Sequence, residues 1–488
     1  MRLGRLFSLA GIECPAEYRE IEVLHVVTDS RKVIDGCIFV AIRGYNTDGH
    51  DYIENAIKNG AAVIVAEQVR DGCVGGAAII KVDNTRNAAA KLYNAQCEYP
   101  SRRLKVVGVT GTNGKTSVCL MLESIFAAAG ISSAVIGTLG CRINGIQTEL
   151  CRTGLTTPDS VELYPLLSHL ADEGVEYVFM EVSSHSLTLG RVCAIDFEYG
   201  IFTNLTRDHL DFHGTMENYF KAKASLFDRC KRKIINVDCP YGKRLYDEYR
   251  GSFACSTGVG DFVALDAVSD RDGSRYTLLN GEHQYQIHIS ALGDFCVSNS
   301  LLAAALALDA KIPPEAIIGG LSRFSGALGR MELVDTQDAL FDVLIDYAHT
   351  PDALEVLLRN ARELRKDGGR VILVFGCGGQ RDRGKRRQMA NIASRLADFV
   401  IITSDNSRME DPEIIFSDIL KGIDKERPNT LVRSRREAIE YAVGMARPSD
   451  IVVLAGKGHE KYEIDADGKR YFNEREIVAD AVGKKMGK

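Results

Sequence analysis

Val106–Leu120 reads VVGVTGTNGKTSVCL: a β-branched run, a glycine-rich turn, then Lys115 and Thr116 opening an apolar helical pattern. That order predicts strand, loop and helix N-terminus. Such a turn can hold anionic oxygens. The backbone N–H groups of Gly111, Thr112, Asn113, Gly114 and Lys115 would point inward, and the helix dipole adds positive potential. Lys115 supplies a mobile charge, and the Thr116 hydroxyl, followed by that of Ser117, can reach Mg²⁺. The stretch is a candidate cradle for nucleotide phosphates.

The generic pattern G-x-x-x-x-G-K-[ST] would place glycine where the chain has Val109; the glycines fall instead at Gly108, Gly111 and Gly114. The tighter core GTNGKTS compensates. Backbone needs alone could account for the glycines, but they give no motive for a lysine followed by two hydroxyl residues at the first helical turn.

Working outward, 488 residues exceed what one core usually supports, so several domains are expected. With 45% hydrophobic and 26% charged residues the composition is that of an ordinary globular protein. A net charge of −6 leaves no basic excess to displace phosphate counterions, so no nucleic-acid partner is expected. No apolar run approaches the roughly 20 residues of a membrane span, and MRLGRLFSLAG is too short and interrupted for a secretory signal. Thirteen scattered cysteines without a C-x-x-C pair fit reduced thiols and a cytoplasmic location.

Residues 1 to about 103 alternate short strands (VLHVVTDSR, CIFVAIRG, AAVIVAE) with a helix across Tyr52 to Asn59, and the polar segment Tyr99 to Arg103 reads as a linker. TDSR at Thr28–Arg31 and GYNTDGH at Gly44–His50 end strands, where α/β folds gather ligands, although plain turn chemistry explains each taken alone. Residues 104–327 alternate apolar strands (SSAVIGTLG, YVFMEVS, YGIFTNL, KIINVD) with helices, which implies a mostly parallel sheet covered on both faces. YTLLNGEHQYQIHI, alternating around Asn280-Gly281, predicts an antiparallel hairpin, and a helix is expected over Val297 to Ala310. Residues 328–488 carry five further strands, FDVLIDY, RVILVFG, FVIITS, TLVR and IVVLAG, a second doubly wound sheet. The expected class is three-domain α/β.

Chemistry gathers at the ends of the central strands. EVSSHS from Glu181 and TNLTRDHLDFHG around Asp208, His209, Asp211 and His213 could hold a divalent metal near the phosphate loop. His209 and His213 have i, i+4 spacing, but the glutamate of a zinc protease is absent, so His213 reads as structural and His209 as the metal candidate. Lys221 and Lys223 lie two apart on a helix, so at most one follows the apolar face of Phe220, Ala224 and Phe227. A half-buried lysine can lose its proton and react.

In register, GTNGKTS, EVSSHSL with Arg191, TNLTRDHLDFHG, AKASLF, CVSNSLLAA, GRME, DYAHTPD and GKGHE resemble the Mur ligase family over nearly the whole chain. TDSR, DFHG, FGCGGQRDRGKR and DNSRMEDP resemble most closely its members that add the third residue of the peptidoglycan peptide. The resemblance implies a small α/β UDP-binding domain, a central P-loop-type ATPase domain and a C-terminal Rossmann-like domain. It implies that ATP phosphorylates a substrate carboxylate and that an amine then attacks the acyl phosphate. Lys115 and Thr116 would serve phosphate and Mg²⁺, Glu181 would ligate metal, and His209 with a CO₂-derived carbamate on Lys223 would hold a second Mg²⁺. Asn299, Arg330, Asp346 and His349 would contact the nucleotide. Ser30, Tyr45, Asn46, Thr47, Thr156, Thr157, Ser183 and Arg191 would contact the UDP-N-acetylmuramoyl dipeptide. Arg386, Asp405, Asn406, Ser407, Arg408, Gly456 and Glu460 would receive meso-diaminopimelate. An arginine fork suits a distal carboxylate that lysine lacks, so Arg408 favours diaminopimelate over L-lysine. The family's usual motif is DNPR; Ser407 releases the φ that proline fixes. A surface ion pair of Arg408 with Glu410 or Asp411 is the structural alternative. An L-lysine-specific ligase and a folylpolyglutamate synthetase-like ligase remain the competing functions, and a monomer is expected.

Overall fold

The computed structural model describes residues 1–488 except 45–46, 69–75, 152–153, 294, 338 and 488, so Tyr45 and Asn46, expected to contact the UDP-dipeptide, lie outside the described residues. Three α/β layers follow one another along the chain, each around its own sheet, as the alternating pattern requires.

The first sheet is four parallel strands in sequential order, Val26–Val27, Ile38–Val40, Val63–Ala66 and Ala78–Lys81. A helix at Leu3–Ala10 and the strand Ala78–Lys81 were not anticipated. The expected linker is instead a 3₁₀ turn, Pro100–Arg102, with Pro100 and Ser101 buried.

Among the described residues the central sheet has eleven strands. Its parallel heart runs Phe253–Ser256, Cys230–Asn236, Phe197–Phe202, Lys105–Thr110, Tyr177–Glu181, Ser133–Gly137. These strands are buried on both faces because helices cover both: Val106 and Val107 are each fully buried yet belong to different core clusters. The hairpin Gly273–Asn280 with His283–Ile289 turns at Gly281 as expected. Two short antiparallel strands, Gly140–Ile143 and Ile146–Thr148, extend the other edge. Helix Phe295–Asp309 is buried along most of its length and packs beside the phosphate-loop helix Lys115–Ala128.

The third sheet is the expected five parallel strands, in spatial order Asp342–Asp346, Ile451–Ala455, Val371–Phe375, Phe399–Ile402 and Asn429–Leu431. An antiparallel edge strand, Glu332–Val334, and a separate hairpin, Tyr462–Asp465 with Gly468–Tyr471, are additions. In such sheets ligands gather beyond the carboxyl ends of the strands. No helix of the described residues is long and apolar enough to cross a membrane.

Candidate active site at the phosphate loop

Strand Lys105–Thr110 delivers the chain into Gly111–Gly114, and helix Lys115–Ala128 starts at once. Gly114 has φ 88°, and a Cβ there would stand 2.5 Å from Asn299 Oδ1, so the loop closes on the neighbouring helix only because the side chain is absent. Two of the loop's N–H groups do not point inward as the sequence suggests. The Thr112 N–H donates to the Asn204 carbonyl at 2.9 Å and the Asn113 N–H to Asn204 Oδ1 at 3.0 Å, so these two groups fasten the loop rather than point into it. Asn204, within YGIFTNL, carries no mark in the sequence beyond its place at a strand end.

Lys115 Nζ donates to the Gly111 and Thr112 carbonyls, both at 2.9 Å. Lys223 Nζ, from helix Met216–Ala224, donates to the same Gly111 carbonyl at 2.7 Å and stands 4.9 Å over the Tyr219 ring. Lys223 is 1% exposed, whereas Lys221 points to solvent, as their spacing required. Burial, and then the nearby Lys115 charge, push the Lys223 ammonium well below its usual pKa.

Glu181 ends its strand 1% exposed. Its carboxylate accepts from Thr116 Oγ1 at 2.9 Å, from the Thr138 N–H at 2.9 Å and from Thr138 Oγ1 at 3.0 Å. A hydroxyl and a carboxylate at helix start and strand end are hard oxygen donors of the kind Mg²⁺ takes, so the donor set fits that ion. Nothing in the sequence TLG marks Thr138 for this role.

His209 takes the left-handed conformation, φ 52°, with Nε2 3.2 Å from Asp208 Oδ2. His349 Nε2, from the third domain, lies 3.9 Å from that same oxygen. Burial keeps both imidazoles neutral, His349 down at about 4. His213 is buried, hydrogen-bonded to Ser184 Oγ at 2.9 Å and stacked on Tyr219, which fits its structural reading. Among the described residues no three His, Cys, Asp or Glu side chains converge as a metal site.

Asn299, Arg330 and Asp346 line one cavity of about 160 Å³ together with Asn113, Gly114, Thr116 and Ser117. Among the described residues the buried Asn299 amide nitrogen has no hydrogen-bond partner, and the Arg330 guanidinium rests 4.6 Å over Tyr347. Asp346 is held by the Met331 and Ala348 N–H groups at 2.8 and 2.6 Å, and burial raises its pKa. A donor without a partner in a cavity floored by the phosphate loop suits a nucleotide.

Ser30, Thr47 and Arg191 line a cleft of about 610 Å³ between the first sheet and the central domain. Thr157 is fully buried; its Oγ1 donates to the Glu181 carbonyl at 2.8 Å and accepts from the Ser183 N–H at 3.0 Å. Arg191 donates to the Thr157 carbonyl at 3.0 Å and pairs with Asp159 at 2.6 Å. Thr156 Oγ1 is 3.2 Å from Thr138 Oγ1, so this set reaches the Glu181 corner.

In the third domain Asn406 donates to Glu460 at 2.8 Å and accepts from Lys457 at 3.1 Å, beside Asp405. The Gly456 N–H donates to the Asp346 carbonyl at 3.0 Å, joining this group to the nucleotide cavity. Ser407 is buried. Arg408 pairs with neither Glu410 nor Asp411: it donates to the Gly379 and Asn406 carbonyls at 3.0 and 3.1 Å. Arg386 differs from the expectation of an open ligand contact. It is fully buried, with a forked pair to Glu410 at 2.7 and 2.8 Å and a third bond to Asp418 at 3.1 Å.

A three-domain α/β architecture with a phosphate loop facing acid, imidazole and buried lysine defines a nucleotide-using, group-transferring enzyme. Three family models match along the chain: Mur ligase family, catalytic domain, at residues 22–106; Mur ligase middle domain at 109–307; and Mur ligase, glutamate ligase domain, at 329–458. A UDP-N-acetylmuramoyl-L-alanyl-D-glutamate--2,6-diaminopimelate ligase of Clostridium acetobutylicum is 42% identical over 99% of both chains. One from Syntrophomonas wolfei is 40% identical over 100% of both. A solved structure bearing the same ligase name aligns over 100% of both chains at 31% identity and TM-score 0.69. The chain belongs to the Mur ligase family and is an ATP-dependent, ADP-forming amide ligase.

Proposed function

We propose that the chain joins meso-diaminopimelate to UDP-N-acetylmuramoyl-L-alanyl-D-glutamate in peptidoglycan precursor synthesis, in the cytoplasm and as a monomer. The observation that carries the chemistry is the convergence of Lys115 and Lys223 on one loop carbonyl, that of Gly111. The names of relatives about as long as this chain supply the substrates. In this reading residues 1–103 and the adjoining face bind the UDP-dipeptide, through Ser30, Thr47, Thr156, Thr157, Ser183 and Arg191. Residues 104–327 bind ATP, and residues 328–488 bring the amino acid.

A carboxylate does not react with an amine at neutral pH, because no oxygen on it can leave. ATP supplies the leaving group. The substrate glutamate oxygen takes the γ-phosphoryl group, ADP departs, and the amine displaces phosphate from the acyl phosphate. The protein's part is positioning and charge neutralisation. Lys115 would hold the transferring phosphoryl group, and Asn299, Arg330, Asp346 and His349 the nucleotide. Thr116 and Glu181 would ligate Mg²⁺, which neutralises phosphate charge when bound. A protonated Lys223 offers a cation no lone pair, but its depressed pKa favours the neutral amine. That amine can add to the carbon of CO₂ and lose a proton, leaving a carbamate whose oxygens, with His209, suit a hard metal.

For the amino acid, Asp405, Asn406, Ser407, Gly456 and Glu460 would face the reacting end and Arg408 the distal carboxylate. Arg386 would act indirectly, by fixing Glu410 and the loop before it. The cleft of about 610 Å³ beside the first sheet argues against a folate substrate, which needs no UDP site. The test is ADP release with the UDP-dipeptide against a panel of amino acids. Diaminopimelate should turn over and L-lysine should not; preference for lysine would overturn the substrate assignment.

A further inference from the structure

Just ahead of Asp208 and His209 in the chain, Thr206 and Arg207 make contacts that run in opposite directions. The Thr206 backbone grips the loop from both sides: its N–H donates to Thr112 Oγ1 at 3.0 Å, and its carbonyl accepts from that hydroxyl at 3.2 Å. Arg207 turns outward to the third domain, where Nε and Nη2 lie 3.3 and 3.2 Å from Asp382 Oδ2. The other oxygen of that carboxylate is also engaged. Asp382 Oδ1 accepts the Gly384 N–H at 2.8 Å, at the start of helix Gly384–Leu396, which carries Arg386. One carboxylate therefore fastens the first turn of a third-domain helix to the strand end that leads, one residue past Asp208, to His209. Asp208 and His349 make a second contact across the same junction, 3.9 Å apart.

We infer that Arg207 and Asp382 form an interdomain latch of positioning residues, which sets the phosphate loop and His209 in place only when the third domain is seated. A pair this exposed, with the Arg207 side chain 44% accessible, stabilises the fold little. Its value lies in geometry. The Arg207 backbone is held through Thr206 to the phosphate loop, and Asp382 is held to the amino-acid side, so neither end can shift without straining the other. The latch thereby makes amino-acid docking and phosphoryl-site assembly one event, as expected of ligases that must not spend ATP on water.

The inference rests on the ligase reading for its kinetic arm alone; the other arm needs no turnover. Arg207→Ala, Asp382→Asn and the double variant would be followed by hydrogen exchange in the full chain. Exchange should rise together in residues 205–213 and in the first turn of Gly384–Leu396, with Arg207→Lys restoring most protection. In the kinetic arm kcat/KM for diaminopimelate should fall about fivefold in either single variant. The double variant should be no worse than either, a non-additivity that two independent destabilisations would not give. Additive losses, or exchange that rises in only one of the two segments, would overturn the latch. A chain that released no ADP with any amino acid would sink the ligase reading, and exchange would still decide the latch.

Discussion

At the scale of single residues, the site turns on two lysines that share one carbonyl oxygen. Lys223→Ala should lower ADP release at least about a hundredfold, the range seen when a preorganised charge group is deleted. Partial recovery on adding short carboxylic acids, assayed by coupled ADP detection, would place a carboxylate-like group at that position. Turnover equal to that of the parent chain would remove Lys223 from the chemistry. Gly114→Ala sets a Cβ 2.5 Å from Asn299 Oδ1 at a φ of 88°, so nucleotide affinity measured by calorimetry should drop sharply while the fold persists. Arg408→Ala should raise KM for diaminopimelate with little change in KM for ATP, because its guanidinium sits on the Asn406 loop and away from the phosphate cradle. The side chains that converge here were readable when their own neighbours marked them. Lys223 was one, since a spacing of two on a helix leaves only one lysine inward. Asn204 and Thr138 were not, because their roles come from strands that meet only in the folded sheet.

At the scale of elements, apolar runs such as VVGVT, YVFME and IVVLA announced their strands because parallel strands are buried on both faces. Several of the strands that carry no clear signal in the sequence are short, polar or at an edge: Glu332–Val334 has three residues, and Gly468–Tyr471 is exposed throughout. The pairing of Arg386 was equally unreadable, since its partners Glu410 and Asp418 come from 24 and 32 positions along the chain. That pairing ties helix Gly384–Leu396 to helix Pro412–Leu420 and has a pH signature. Arg386 holds Glu410 down from 4.5 to about 2, and Lys421 with Arg383 hold Asp418 down from 3.8 to about 2. Folded pKa values below the unfolded ones mean the native state resists protonation. The stability they give is present above the ordinary carboxylate values and is lost as pH falls toward 2. Guanidinium midpoints taken from pH 7 downward should therefore decline through this window. Glu410→Gln should lower the midpoint at pH 7 and flatten the decline; a variant with the parent's slope would show that the pair contributes nothing.

At the scale of the whole molecule, the three domains are not joined alike. One hydrophobic cluster runs without a break from Leu3 and Phe7 through Leu92 and Tyr93 into Leu163, Leu167 and Val178, so the first two domains share a core. The third domain has clusters of its own on the two faces of its sheet, joined to the central domain at Leu292 and Phe295. Polar contacts such as Arg207 with Asp382 and Arg271 with Asp342 cross that junction. A shared core resists separation at roughly 25 cal/mol for each Å² of apolar surface, whereas exposed ion pairs are each worth about 1 kcal/mol or less. Motion should therefore fall at the second junction, about the chain near Gly326 and Gly329, where positive φ values mark turns between the two bodies. Small-angle scattering of the free chain, and of the chain with a non-hydrolysable ATP analogue, the UDP-dipeptide and diaminopimelate, tests this. The ligands should shrink the radius of gyration, and the change should fit a rigid rotation of residues 328–488 with the first two domains kept as one body. Superimposable curves would contradict ligand-driven closure. A change that needed movement between the first and second domains would contradict the shared core as the source of their rigidity.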